Sequence, residues 1–353
     1  ARAAEAEAPS PARADLRAAL ADRWGFRVVG HSVDAEGASP RACLAFSEPL
    51  VAFGMDYGDY LRLDDAAAAA EAAGREICVA GLEHGRVHRL LAREGLPAAD
   101  GQRLPRPVAV ELYVRDRAPA VRFAGRAHVL PRGGEAALPV TTVNLDRLAL
   151  RIHRVGPRNL LAALQQGLFG RSLDGWSEDI LADRLGAEVW RGEAAVATSL
   201  NREVESRIPL GDALTGLEPG AYALTARPAG QDEPWRDAAT QWFVVTDLGL
   251  TAVTAGDGLH VSVLGLGGAE PVAGVTLTLL AANNEPLGEA ATDAEGYARF
   301  APGLLRGRGG MAPALLAAET AAGDFAFLDL AAAPFDLSDR GVAGRPAPGP
   351  VDV

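Results

Sequence analysis

Pro271 to Phe300 reads PVAGVTLTLLAANNEPLGEAATDAEGYARF, and the fold follows from this stretch. Val275, Leu277 and Leu279 alternate with Thr276 and Thr278, the two-residue period of a strand with one buried face. Asn283 to Glu285 interrupts the run. Asp293-Ala294-Glu295-Gly296 then supplies a second turn, with glycine where a positive φ costs little. Beyond it, Ala298 and Phe300 share one face, while Tyr297 and Arg299 share the other. Strand, turn, strand, turn, strand is the grammar of an immunoglobulin-like β-sandwich. The stretch contains no chemistry.

Most of the chain repeats that grammar. Strands are expected at Phe26–Val29, Ala42–Phe46, Tyr60–Leu63, Glu76–Ala80, Val87–Leu91 and Val108–Val114, between clusters of Gly, Pro and Asp. Leu148, Leu150 and Ile152 alternate with Arg147, Ala149, Arg151 and His153. The period then changes. Leu160, Leu161, Leu164 and Leu168 recur at helical spacing after Pro157, and Ser177 before Glu178 and Asp179 marks a helix start, with Ile180, Leu181 and Leu185 as its stripe. Two short helices are therefore inserted into a β-domain and read as a cover over a sheet edge. Strands resume at Ala187–Val196, Arg207–Leu210, Gly220–Arg227, Gln241–Thr246, Leu259–Val263 and Phe325–Leu328. Gly81-Leu82-Glu83-His84-Gly85 echoes Gly216-Leu217-Glu218-Pro219-Gly220, each leading into a strand as at a late sandwich corner.

The expected fold is mainly β, with tandem immunoglobulin-like sandwiches. A flexible leader spans 1–25, in which Arg13 to Arg23 could form one short helix. The domains are 26–118, 119–246 with the helical insertion at 157–186, and 247–331. A linker and the start of a further domain occupy 332–353.

Composition narrows the function. The 353 residues are 48% hydrophobic and 23% charged, with a net charge of −12. An acidic chain does not displace counterions from nucleic acid. All basic side chains are Arg, which excludes a lysine nucleophile or Schiff base. No apolar run approaches the ~20 residues of a membrane span. The start at Ala1, with no visible signal peptide, suggests a mature or truncated product.

Candidate sites are few. Cys43 and Cys78 both leave the apolar face of their strands, as partners meeting across a strand pair would, so a Cys43–Cys78 disulfide is expected. Two reduced small core residues are the alternative. His84 and His88 stand four apart on what reads as a strand, where four residues span ~13 Å, too far for one metal. Gly265-Leu266-Gly267-Gly268 precedes a strand instead of a helix and reads as a turn. Arg306-Gly307-Arg308-Gly309-Gly310 reads as a flexible loop. The acidic groups at Asp56–Asp65 and Asp174–Asp179 lack EF-hand spacing. No catalytic residue, cofactor or metal site is expected.

Several strings, in order, resemble the N-terminal macroglobulin-like domains of bacterial alpha-2-macroglobulins. They are Ala42-Cys43-Leu44-Ala45-Phe46-Ser47-Glu48-Pro49-Leu50, Ile77-Cys78-Val79-Ala80-Gly81-Leu82-Glu83-His84-Gly85 and Leu138-Pro139-Val140-Thr141-Thr142-Val143-Asn144. Val189-Trp190-Arg191-Gly192-Glu193, Gly323 to Leu328 and Phe335 to Gly341 follow. The resemblance implies a non-catalytic scaffold fragment of a periplasmic protease-trapping inhibitor, anchored to the inner membrane as a lipoprotein in its full length. In that family a protease cuts a bait region and a buried thioester captures it, although some members lack the thioester. Neither Cys43 nor Cys78 stands in a thioester motif, and no bait region is recognisable. Implied partners are target proteases, further macroglobulin-like domains and a peptidoglycan-synthesising penicillin-binding protein, with membrane contact only through a lipid anchor. The periplasmic setting supports the disulfide. An adhesin or a carbohydrate- or protein-binding array of immunoglobulin-like domains is the alternative reading.

Overall fold

In a computed structural model the described residues are 15, 16, 20, 24–125, 127–130, 137–214, 216–230 and 238–331. The expected leader lies almost wholly outside them, and the expected linker at 332–353 wholly so. The chain divides into two compact units. The first comprises 1–120 with 142–146 and 197–204, and the second comprises 121–141, 147–196 and 205–353.

The first unit is a sandwich of two four-stranded antiparallel sheets. One has the order β1-β2-β6-β5, from β1 (Val28–Asp34), β2 (Arg41–Phe46), β5 (Ala70–Ala73) and β6 (Glu76–Val79). The other has the order β4-β3-β7-β8, from β3 (Leu61–Leu63), β4 (Ala66–Ala67), β7 (Arg86–Ala92) and β8 (Val108–Val114). Alternation drives both sheets to bury one face each. Leu44, Phe46, Ile77 and Val79 meet Leu61, Leu90, Leu112 and Val114 in one core, with Phe26 stacked on Phe46. The β3–β4 turn is Asp64-Asp65, both at positive φ, a type I′ pair made from residues other than the usual Asn-Gly. The Asp64 carboxylate holds it by accepting from the Arg89 amide at 2.8 Å and from His88 Nδ1 at 2.6 Å. In the loops of this unit Asn144 and Asn201, both at positive φ, bond each other and the Arg117 backbone.

The second unit holds two further sandwiches. In the first of them a five-stranded sheet has the order β10-β16-β15-β12-β13, from β10 (Ala127–Leu130), β12 (Arg147–Val155), β13 (Gly186–Ala195), β15 (Gly220–Pro228) and β16 (Ala239–Val245). It faces β14-β11-β9, from β9 (Ala120–Phe123), β11 (Ala137–Val143) and β14 (Glu203–Pro209). Helices α1 (Pro157–Gln165) and α2 (Gly175–Ile180), then a π turn at Leu181–Leu185, lie between β12 and β13. The last sandwich pairs β17-β18-β21 with β20-β19-β22-β23. These strands are β17 (Leu248–Ala255), β18 (Gly258–Gly265), β19 (Thr276–Ala281), β20 (Pro286–Ala291), β21 (Tyr297–Phe300), β22 (Pro313–Glu319) and β23 (Phe325–Asp329).

Pro271 to Phe300 lies at the centre of that last sandwich. Val275, Leu277 and Leu279 are fully buried, and Thr276 opposes Ala291 across the β19–β20 hairpin. The turn after Thr292 is not a hairpin, because β21 pairs with β18 in the opposite sheet. Asp293 caps this corner by accepting from the Glu295 and Tyr297 amides at 3.1 and 2.8 Å. Any Cβ at Gly296 would sit 2.5 Å from the Val263 carbonyl, so glycine is required there by space as well as by φ. Arg306–Gly310 is a largely exposed loop ending in a short 3₁₀ turn at Gly309–Met311. Its backbone packs on itself, with Gly307 closed against the Met311 carbonyl, and Gly310 accepts from the Asn283 amide at 2.8 Å.

Candidate functional site

Cys43 and Cys78 oppose each other directly in the β2–β6 register and are disulfide-bonded across 35 residues of sequence. Both are half-buried on the solvent face, while their strand neighbours Leu44, Phe46, Ile77 and Val79 fill the core. Glu76 shares their face two residues before Cys78. Arg41, two residues before Cys43, is paired with Glu71 at 2.9 Å. Replacing both cysteines by Ser is expected to destabilise the first unit by about 2–4 kcal/mol, the usual cost of opening such a loop. Its chemical-denaturation midpoint against the reduced wild type separates the bond from the side chains.

The helical insertion is the most constructed feature of the second unit. It is not the cover over a sheet edge that its spacing suggests; it fills the space between two sheet faces. One wall is the outer face of the five-stranded sheet, where Val155, Ala221, Ala223 and Trp242 are buried. The other is the outer face of the last sandwich, through Ala314, Leu315 and Phe325. Leu160, Leu161, Leu168, Leu173, Leu181 and Leu185 pack between them. Phe169 bridges both walls, 4.8 Å from the Trp242 ring and 5.4 Å edge-on to Phe327. Polar contacts fix the register. Trp242 Nε1 donates to the Arg171 carbonyl at 3.0 Å, the Leu173 amide to Thr240 Oγ1 at 3.2 Å, and Gln165 Nε2 to the Ala282 carbonyl at 2.5 Å.

Helix α2 does not start at Ser177. Asp174 is its cap, accepting from the Ser177 amide at 2.8 Å; the Ser177 hydroxyl first and that amide second hold the Asp174 carboxyl below the usual carboxylate range. Glu178 turns inward and pairs with Arg227 on β15, with only 5% of its side chain exposed. Beside them lies His153, buried, its Nδ1 without a hydrogen-bond partner among the described residues. Burial lowers its pKa; Glu188 and Glu178 act against that shift, and Arg151 and Arg191 act with it. The sign follows directly. Above the ordinary value of about 6.5 the ring is neutral in folded and unfolded chains alike; below it the unfolded chain takes up the proton first, so stability falls with pH. His153→Gln is expected to flatten that fall in the denaturation midpoint between about pH 6.5 and 5. An unchanged slope would assign the acid sensitivity to other groups.

The remaining sequence candidates have structural roles. His84 Nε2 bonds the Ala35 carbonyl at 2.9 Å, whereas His88 bonds Asp64 and the Glu83 backbone, so the two rings do not converge. The Glu83 amide donates to His88 Nε2, and Tyr222 Oη donates to the Glu218 carbonyl. The two echoing loops are thus both corners tied down by the strand that follows. Asp56 caps a 3₁₀ turn at Tyr57–Tyr60. Asp64 is held below the usual carboxylate range, first by the Arg89 amide and then by His88. One arrangement was not legible beforehand. Asp257, His260 and Tyr297 form a line, His260 Nε2 on Asp257 Oδ1 at 2.8 Å and Nδ1 on Tyr297 Oη at 2.7 Å. Only cross-strand register reveals it, since Ser262 and not His260 is opposite Tyr297. The line lies along the open face of β18 and β21, where its bonds order a sheet surface.

The family models agree with this architecture. The model described as "Bacterial alpha-2 macroglobulin MG2 domain" matches residues 122–243, and that described as "Bacterial alpha-2-macroglobulin MG3 domain" matches residues 245–347. The chain is 27% identical over 343 residues to the alpha-2-macroglobulin of Xylella fastidiosa strain 9a5c, covering 92% of this chain and 20% of that protein. It is 28% identical over 235 residues to that of Escherichia coli K12, covering 67% of this chain and 14% of that protein. The chain therefore spans about one-fifth or less of the length of these curated relatives. A crystal structure of a mutant Salmonella alpha-2-macroglobulin shares the fold, with a TM-score of 0.65 at 23% identity over 93% of this chain and 20% of that one. The trypsin-activated Escherichia coli protein matches with a TM-score of 0.52 at 27% identity, over 65% of this chain and 15% of that one. Tandem immunoglobulin-like sandwiches and two consecutive domain matches lead to one conclusion: the chain belongs to the bacterial alpha-2-macroglobulin family, with its MG2 domain at 122–243 and its MG3 domain at 245–347.

Proposed function

We propose that this chain is a non-catalytic scaffold of a protease-trapping inhibitor, and that trapping is performed by a longer protein of which it forms part. The observation that carries this reading is the consecutive MG2 and MG3 match over 122–347. The packing supports it. A wedge that buries apolar side chains against two sandwiches suits a frame that must hold its shape while another part of the protein is cut. In this proposal three domains, 26–118, 119–246 and 247–331, are successive macroglobulin-like units, and further such domains and a target protease are the partners. The proposed setting is the periplasm, which suits a disulfide, with the longer protein held at the inner membrane by a lipid.

The test uses trypsin. The longer protein should suppress tryptic digestion of a large protein substrate while leaving hydrolysis of a small chromogenic peptide nearly intact. The 353-residue chain alone should do neither and should form no covalent adduct on a denaturing gel. Unimpeded digestion by trypsin incubated with the longer protein would reject the trap. An adduct with this chain alone would reject its role as scaffold.

A further inference from the structure

The disulfide lies on a sheet that is held together by more than the disulfide. β2 and β6 pair through Ala42 with Val79 and Leu44 with Ile77, and all four of these side chains are buried on the far face. Reduction therefore leaves two thiols opposed across one ladder step, on strands still fixed by their backbone bonds and their core. The Cα atoms of Cys43 and Cys78 are 4.0 Å apart, a spacing that the backbone pairing of the two strands sustains. Glu76 projects to the same side, two residues along β6. Its carboxylate and the two sulfurs lie within 4.8 Å of one another, the one such group of three His, Cys, Asp or Glu side chains among the described residues. Glu71 also opposes Cys78, from β5, but its carboxylate is engaged by Arg41 at 2.9 Å. Glu76 is exposed, so the solvent side of the group is open.

We infer that, when the disulfide is reduced, Cys43, Cys78 and Glu76 form a site for one thiophilic divalent cation, with water in the fourth position. The redox step is an exchange with a dithiol. One thiolate of the reductant attacks a cystine sulfur, the Cys43–Cys78 bond breaks, and the second thiol displaces the protein from the mixed disulfide. The reductant leaves as its own disulfide, and the protein keeps two electrons and two protons as a pair of thiols. Metal binding releases both protons. Two sulfurs and one carboxylate oxygen suit zinc, whose bonds to them run about 2.3 and 2.0–2.2 Å. Magnesium and calcium require oxygen ligands and are excluded. The oxidised strand pair has no thiolate to offer. The redox state of one ladder step thus decides whether metal binds.

Cobalt(II) serves as the probe. The 353-residue chain is reduced with a phosphine, desalted without oxygen and titrated. One cobalt per chain is expected, with a thiolate-to-cobalt charge-transfer band in the near ultraviolet that zinc abolishes. The unreduced chain should show no band, and Cys43→Ser should lose it. Glu76→Gln should keep the band but weaken binding at least about tenfold, the lower bound set by losing even an outer-shell partner. Far-ultraviolet circular dichroism of the reduced chain and of Cys43→Ser/Cys78→Ser tests whether the strand pair survives. Absence of the band in the reduced wild type, an equal band in Cys43→Ser, or loss of sheet signal on reduction would each overturn the site. An affinity for Glu76→Gln within about twofold of wild type would remove Glu76 from it.

Discussion

Trp242→Ala is expected to destabilise the second unit by about 3–5 kcal/mol, the range for deleting a large buried aromatic. The ring is fully buried, packs on Phe169 and donates its indole N–H to the Arg171 carbonyl. Three losses combine: apolar burial, a cavity that the rigid β15–β16 ladder cannot close, and a carbonyl deprived of its donor. Trp242→Phe restores most of the first and leaves only the third, so about 1 kcal/mol is expected from it. The location of the damage matters as much as its size. Because Phe169 also touches Phe327, loosening it should uncouple the two sandwiches of this unit. Differential scanning calorimetry should then resolve their unfolding, and hydrogen exchange should accelerate in β15 and β16 before β19. A loss below about 1 kcal/mol for Trp242→Ala would show that the leucines of the insertion carry the packing without it.

How far the sequence foretold this wedge depends on what each residue faces. Strands with one wet face were legible, since Val275-Thr276-Leu277-Thr278-Leu279 announces its own period. β22 was not. Pro313 to Ala318 is a continuous apolar run because Leu316 and Ala318 fill the sandwich while Ala314 and Leu315 meet the insertion, and a strand buried on both faces has no alternation to read. β4 and β5 were silent for the opposite reason, being built largely from alanine. The insertion helices were visible in the spacing of Leu160, Leu161, Leu164 and Leu168, but their target was not. Period shows that a face is apolar, whereas its cover here comes from Phe327, about 160 residues further along the chain. The Cys43–Cys78 pairing stood between these extremes. Alternation put each cysteine on the solvent side of its strand, and only the register of β2 against β6 places them opposite each other.

Glu178 shows the same limit for charge, and its removal has a comparable expected effect. An acidic residue in the first turn of a helix reads as a solvated partner of the helix dipole. In the fold it points inward, 5% exposed, against an Arg227 side chain that is 21% exposed. Glu178→Ala leaves the guanidinium under the insertion without its counter-charge, and breaking a buried pair from one side costs about 3–5 kcal/mol. The partial exposure of Arg227 places the expected loss at about 3 kcal/mol, read from the urea midpoint of the second unit. The contrast with Glu188 and Arg191 separates geometry from charge. They also form an ion pair, at 2.9 Å, but on the surface, so Glu188→Ala should cost at most about 1 kcal/mol. Replacing both partners of the buried pair, as Glu178→Leu with Arg227→Met, should recover most of the loss, because neither change then leaves a buried charge behind. If the double variant is as unstable as Glu178→Ala alone, the pair itself and not the stranded arginine stabilises the wedge, and the insertion is then held by electrostatics more than by its leucines.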